Sequence, residues 1–410
     1  MKHGVRKGGT SVRDSIVEPV LRFLRAETTG GIVLLAAALV ALVWANSPLS
    51  DLYRQLWSAE LALGGGRWAV TEDLRHWVND GLMTVFFFVV ALEIKREMVT
   101  GELRAARAAA LPALAAMGGV VLPVALFLLI VGGGAEGTGW GIPMATDIAF
   151  AVGVLAVLGN RVPGGARVFL LSIAIVDDVI AIAVIAVFYS STPQTWWLAA
   201  AGAGLLTALG MRRSGVAVVW PYAVVGVAVW YATHESGVHA TIAGVVMGLL
   251  TPARPFRGRD VLGDLERRLH PMSAFFIVPL FALANAGVDL RGKIMSEAAG
   301  SPLVWGVAVG LLVGKTLGIT LVTLAATRLR LGVLPSGIAT RHVWGIAALA
   351  GIGFTVSLFI ADLAYQASNV VDLAKIGVFA GSLASGVIGV IILTVSGRRR
   401  ERAREKEAVR

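Results

Sequence analysis

The sequence predicts an all-α membrane protein of twelve transmembrane helices, and three observations predict it. First, 56% of the 410 residues are hydrophobic and only 15% are charged. A soluble globular chain carries about 25% charged residues, so this one lacks the polar surface to face water on all sides. Second, twelve runs are long and apolar enough to be spans, since a hydrocarbon core about 30 Å thick takes roughly 20 residues of helix. They cover 30–47, 76–94, 108–131, 139–158, 166–190, 195–211, 216–232, 236–252, 272–290, 302–327, 343–364 and 376–396. Third, the basic residues segregate. With the amino terminus placed inside, 29 of the 36 Lys and Arg fall in the inside segments 2–25, 95–107, 161–167, 212–213, 254–268, 328–341 and 398–410. Six fall outside (Arg54, Arg67, Arg75, Arg291, Lys293 and Lys375), and Lys315 lies within a span. Basic residues concentrate in cytoplasmic loops, so both termini are expected inside. The same bias accounts for the net charge of +10 without a nucleic-acid partner.

In chain order, residues 1–29 form a basic cytoplasmic tail, 30–396 the membrane domain and 397–410 a second basic tail. The first run, GIVLLAAALVALVWA (31–45), has the length of a signal-peptide core, but about thirty residues precede it, too many for such a peptide. It is read as an uncleaved first helix. Between the first two spans, LALGGGRWAV (61–70) sets short apolar runs about a glycine triplet, which predicts an outer β-hairpin. Its unpaired edges could receive a second copy of the chain. Between spans eight and nine, the polar segment 251–271 is expected to be a cytoplasmic loop with a short helix near Leu262 to Leu269. Small residues recur at Gly306, Gly310 and Gly314, and again at Ser382, Ser385 and Gly389. In lipid that spacing lets helix backbones approach closely. The chain has no cysteine, so neither disulfides nor thiolate chemistry arises.

Charge appears where it is expensive. ARVFLLSIAIVDDVIAIAVIAVFYS (166–190) carries Asp177 and Asp178 at its centre, Asp147 lies in the fourth run, and Lys315 in LLVGKTLGI. Each costs about 2.5–3.5 kcal/mol at the middle of a membrane helix, or roughly 10–14 kcal/mol for the four. Internal salt bridges can account for one acid with Lys315, but three acids against one base leave two unmatched. Neighbouring residues on a helix point about 100° apart. One aspartate can therefore face Lys315 while the other faces an aqueous cavity. Carboxylate oxygens accept both protons and hard cations, and competition for one site gives exchange.

Asp147 follows Pro143, Ala145 and Thr146, where proline and a hydroxyl favour a break in the helix. ALAGIGFTVSLF (348–359) places Gly351 and Gly353 before Thr355 and Ser357 at a matching depth. Two such interruptions point to inverted repeats with broken helices. Helix ends carry about half a charge, so Asp147 is expected against amino-terminal ends and Lys315 against carboxyl-terminal ends.

GLLVGKT (310–316) and AIVDD (174–178) superficially suggest a nucleotide site, but a phosphate-binding loop needs glycine where Val309 stands. No His and Cys spacing for zinc occurs. His239, in ESGVHATIAG, is read as packed or pore-facing.

Taken together, PMATDIAFAVGVLAVLG, SIAIVDDVIAIAVIA, SGVHATIAG, PLFALANAG, GKTLGI and GIGFTVSLFIA resemble the NhaA family of sodium/proton antiporters over about residues 20 to 395. The resemblance implies two broken helices crossing at mid-membrane. It makes Asp178 the principal carboxylate for Na+ and H+, and Asp177 its neighbour, a second Na+ ligand and the partner of Lys315. Thr146 and Asp147, also counted as ion-binding, fall at the crossing, with Asp147 also compensating charge. A cytoplasmic pH-sensing group falls on Glu93, Arg96, Glu97, Glu266 and His270, and His239 is grouped with them. The family's dimer-forming hairpin matches 61–70. Arg267 stands where better-known members carry histidine, and Thr316 where proline is common. The resemblance thus implies an electrogenic, pH-regulated secondary transporter of a bacterial inner membrane, exporting Na+ and Li+ against H+. It implies neither an enzyme nor a cofactor. The competing expectations are a proton-coupled organic-anion transporter of similar fold, and a channel.

Overall fold

The computed structural model describes residues 12–66, 69–190 and 193–408. Residues 1–11 of the first tail, Arg67 and Trp68 of the hairpin, 191–192, and 409–410 of the second tail lie outside the described residues. The chain is mostly helical, with one two-stranded sheet among the described residues. Six helices are by themselves long and apolar enough to cross a membrane: Leu74–Val99, Arg107–Val131, Glu136–Leu158, Gly164–Phe188, Pro302–Arg328 and Ser368–Arg398. Two bent pairs, Thr29–Ala45 with Ser50–Trp57 and Thr340–Ala350 with Phe354–Ala364, raise the number to eight.

That is fewer than the twelve expected, and the differences are local. The helix over the eighth expected span, Thr241–Leu250, has 10 residues, and that over the seventh, Trp220–Glu235, has 16. Over the ninth, the chain is helical only to Asn285, so the last residues of the expected span are not helix. The short helix expected over Leu262 to Leu269 forms, but it does not end there. Val261–Met272 runs through a π-helical turn, Ser273–Ile277, straight into Val278–Asn285. The first helix begins before its expected start, covering Val12–Ala45, and the last outruns both of its expected ends, covering Ser368–Ala408.

The hairpin forms between Glu60–Leu63 and Val70–Asp73, antiparallel, with Glu60 opposite Asp73. After the first helix the chain turns through 116°. Asn46 holds that turn: its side chain donates to Leu42 O at 2.7 Å and Val288 O at 2.8 Å, and accepts from Leu290 N. Buried backbone groups must be satisfied internally, and one amide side chain does so for two segments here.

The elements that carry charge are clamped by small residues. A Cβ on Gly314 would stand 2.6 Å from Pro123 Cα, so only glycine lets Pro302–Arg328 lie this close to Ala106–Val131. Phe359 packs against Phe87 and Phe281, with ring centroids 5.5 and 6.2 Å away, within one buried apolar cluster. Lys375, expected in an outside loop, is instead buried on Ser368–Ala408. Its charge there is met by Asp362, which composition alone does not reveal.

Candidate ion-exchange site

Two helices break at the same place. A 3-10 helix, Glu136–Met144, gives way at Ala145 to extended chain before Ile148–Leu158 begins. Thr340–Ala350 ends at Gly351, and Phe354–Ala364 starts afresh after Gly353. The two breaks lie against each other: Asp147 N donates to Ile352 O at 2.6 Å, and Ser357 Oγ to Ile142 O at 2.7 Å. A Cβ on Gly353 would stand 2.9 Å from Ala145 O, which explains glycine at this crossing.

Breaking a helix in a membrane leaves amino-terminal N–H groups and carboxyl-terminal carbonyls without intrahelical partners. Asp147 takes the first kind from both helices. Its Oδ1 accepts from Phe150 N at 3.1 Å, capping Ile148–Leu158. Its Oδ2 accepts from Thr355 N at 3.0 Å and Thr355 Oγ1 at 2.8 Å, in the first turn of Phe354–Ala364. A negative charge is favourable at two positive helix ends at once.

Thr146 serves the other pole. Its hydroxyl lies 2.7 Å from Asp177 Oδ2 and 2.8 Å from Ala350 O, where Thr340–Ala350 ends. The single hydroxyl proton goes to one of these, while the oxygen accepts from Lys315 Nζ at 2.5 Å. Lys315 Nζ also donates to Asp177 Oδ2 at 2.5 Å, both side chains being fully buried. Lys315 thus reaches the carboxyl-terminal end of a broken helix through one threonine.

Asp178 points elsewhere. It lines a cavity of about 80 Å³ together with Thr146, Asp147, Glu93, His270 and Thr355. That is room for a few waters or a small cation. Among the described residues Asp178 forms no ion pair. Adjacent aspartates on one helix therefore do different things, because consecutive side chains point about 100° apart.

Glu93 and His270 mark the cavity's other lining, and Arg96 and Glu97 follow on the same helix as Glu93. Arg96 Nη1 pairs with Glu266 Oε1 at 2.5 Å, and Arg96 Nη2 lies 3.8 Å from Glu97 Oε1. Burial pushes the Glu266 carboxyl above its ordinary 4.5, with Arg96 and His270 pulling it back. His239 is not part of this group: its Nε2 meets the Tyr189 carbonyl, just past the end of Gly164–Phe188. Arg267 pairs with Asp264 on its own exposed face. The Thr316 hydroxyl bonds back to Leu312 O at 2.5 Å within its helix.

Sequence reasoning did not single out Thr355 as an Asp147 partner, although its place just after Gly353 was the available signal. It missed the Ala350 carbonyl, for which a sequence holds no signal. It also missed the buried amide pair in which Asn285 Nδ2 donates to Asn79 Oδ1 at 2.8 Å.

The family model described as Na+/H+ antiporter 1 matches residues 21–393. The chain belongs to this antiporter family. A relative from Frankia alni, named Na(+)/H(+) antiporter NhaA 3, is 46% identical, covering 95% of this chain and 92% of the relative. One from Shewanella pealeana, named Na(+)/H(+) antiporter NhaA, is 44% identical over 92% of this chain and 96% of its own. Among solved structures, the sodium proton antiporter MjNhaP1 of Methanocaldococcus jannaschii matches with a TM-score of 0.56 and 13% identity. It covers 93% of this chain and 98% of its own, a likeness of fold. As a member of the family this chain is a membrane protein of the antiporter class, with Na+ and H+ as the ions concerned.

Proposed function

We propose that this chain exports Na+, and Li+, in exchange for protons at Asp178, by alternating access and with net movement of charge. One observation carries the reading: of two adjacent buried aspartates, Asp177 is bonded to Lys315 and Thr146, while Asp178 lines a cavity with no ion-pair partner among the described residues. A carboxylate so placed is open to a proton or a hard cation, one at a time.

In the cycle proposed, Asp178 holds a proton until Na+ enters along the Glu93–His270 side of the cavity. Oxygens of Asp178, Thr146 and Asp147 are the candidate ligands, and the Lys315–Asp177 pair compensates charge while the ion is absent. Asp147 keeps both helix amino termini satisfied throughout. His270 and Glu93 line the same cavity, and Arg96, on the helix of Glu93, pairs with Glu266, an arrangement that fits a pH-sensing role for Glu93, Arg96, Glu97, Glu266 and His270. The site residues, the twelve-span topology with both termini inside, and the bacterial inner-membrane location remain parts of this proposal. So does a homodimer through the hairpin, whose strand Glu60–Leu63 is exposed along its whole length. Monomeric protein in mild detergent would count against the dimer.

Everted vesicles carrying a preformed proton gradient test the exchange. Added Na+ is expected to dissipate the gradient, and Asp178→Asn to abolish the response. Dissipation by organic anions and not by Na+ would overturn the reading in favour of an anion transporter.

A further inference from the structure

A second buried ion pair lies away from the exchange site. Lys375 Nζ contacts Asp362 Oδ1 at 2.7 Å, with side chains 4% and 14% exposed. Asp362 sits in the last turn of Phe354–Ala364, the helix whose first turn carries Thr355 against Asp147. Asp362 lies about 10 Å from Thr355 along the axis.

The helix dipole makes these ends unequal. A carboxylate is favourable at the amino end, where Asp147 caps, and unfavourable at the carboxyl end, where Asp362 stands. Lys375 offsets that penalty. Asp362 Oδ2, also buried, has no hydrogen-bond partner among the described residues, so the pair rests on its other oxygen. Asp372, one turn before Lys375, is acted on electrostatically by Lys375, by Arg75 of Leu74–Val99, by Asp362 and by Asp289.

Lys375 itself stands on a fixed support. A Cβ on Gly377 would stand 2.8 Å from Val304 O, and one on Gly381 3.0 Å from Ala308 Cα. Ser368–Ala408 is thereby clamped to Pro302–Val309, whose continuation bears Lys315. The Asp362–Lys375 bond is thus a polar tie between the broken helix that meets Asp147 and the support of the helix that meets Asp177.

We propose that Asp362 and Lys375 are positioning residues for ion exchange: their bond fixes the remote end of Phe354–Ala364 and so sets Thr355 against Asp147. The inference rests on the proposed exchange at Asp178. Neither residue touches the ion; they act through the helix.

The test is Na+-driven dissipation of a proton gradient in vesicles, with melting temperature measured in parallel. Lys375→Met is expected to raise the apparent KM for Na+ about tenfold with Vmax within about twofold, because a small misplacement at a remote residue alters binding geometry. Lys375→Arg should keep the wild-type KM. The double variant Asp362→Asn/Lys375→Met leaves no unpaired charge, so it should recover the melting temperature yet keep the raised KM. A purely structural pair would move the melting temperature alone. Wild-type KM in Lys375→Met and in the double variant overturns the proposal, and the double variant decides if the single one does not reach the membrane. Wild-type vesicles that ignore Na+ would sink the exchange reading itself, which is a separate result.

Discussion

Among the described residues two lysine–aspartate pairs lie inside this bundle, at 2.5 Å between Lys315 and Asp177 and at 2.7 Å between Lys375 and Asp362. Both carry the desolvation cost of buried charge, and neither is explained by stability alone, since apolar replacements of such pairs are often neutral or better. Their surroundings separate them. The first pair shares its helix with a second carboxylate, Asp178, that lines a cavity, and its lysine also holds Thr146 at a helix break. The second joins the far end of a broken helix to a helix clamped by glycines. On the proposed reading the first pair takes part in exchange because Asp178 beside it lines a cavity, whereas the second acts as a tether.

The comparison can be broken most sharply at Asp178. Asp178→Asn is expected to reduce Na+-driven proton movement to background with the fold intact, whereas Asp362→Asn should leave exchange measurable. The next largest effect is expected from Lys315→Met, which strands Asp177 in a fully buried position. Breaking a buried pair from one side costs about 3–5 kcal/mol, so the melting temperature should fall clearly. Adding Asp177→Asn to Lys315→Met should restore much of it. Recovery of full transport in that double variant would show that the first pair, too, is only a tether.

Thr355→Val removes one of the two bonds that Thr355 gives Asp147. Loss of a helix-cap bond costs about 1 kcal/mol, so a moderate rise in KM for Na+ is expected. No change would detach Asp147 from ion binding. The smallest effect is expected at Glu266. Its carboxyl is raised by burial, so its protonated form favours the folded state. That contribution is complete below the ordinary value of 4.5 and is lost as pH rises through the raised value. Glu266→Gln should therefore flatten the fall in melting temperature as pH rises above about 4.5, while leaving acid stability unchanged. An unaltered pH dependence would remove Glu266 from the pH-sensing group.

Much of this arrangement was legible in particular residues. Asp177 and Asp178 amid apolar neighbours, Lys315 alone in its run, and glycines beside Thr355 each announce a cost that needs a partner. The hairpin formed as GGG between apolar runs suggested, although the same residues fit an irregular loop equally well, and only the pairing of Glu60–Leu63 with Val70–Asp73 decides. The helix count was harder to read. Hydropathy does not register that Thr241–Leu250 is short, or that Val261–Met272 is continuous with the helix after it. Lys375 was misplaced because charge counting treats a basic residue near a span end as loop, and its partner lies 13 positions away on another helix.

The sequence by itself determined that this chain belongs in a membrane, where its charges would be costly, and which two segments break. Local composition suffices for that, since transfer cost and backbone preference are properties of a residue and its near neighbours. Only the tertiary structure decided which aspartate Lys315 takes, which one lines the cavity, and that one carboxylate caps two helices. Those outcomes depend on the rotation and depth of separate helices. They are set by packing contacts between residues more than a hundred positions apart.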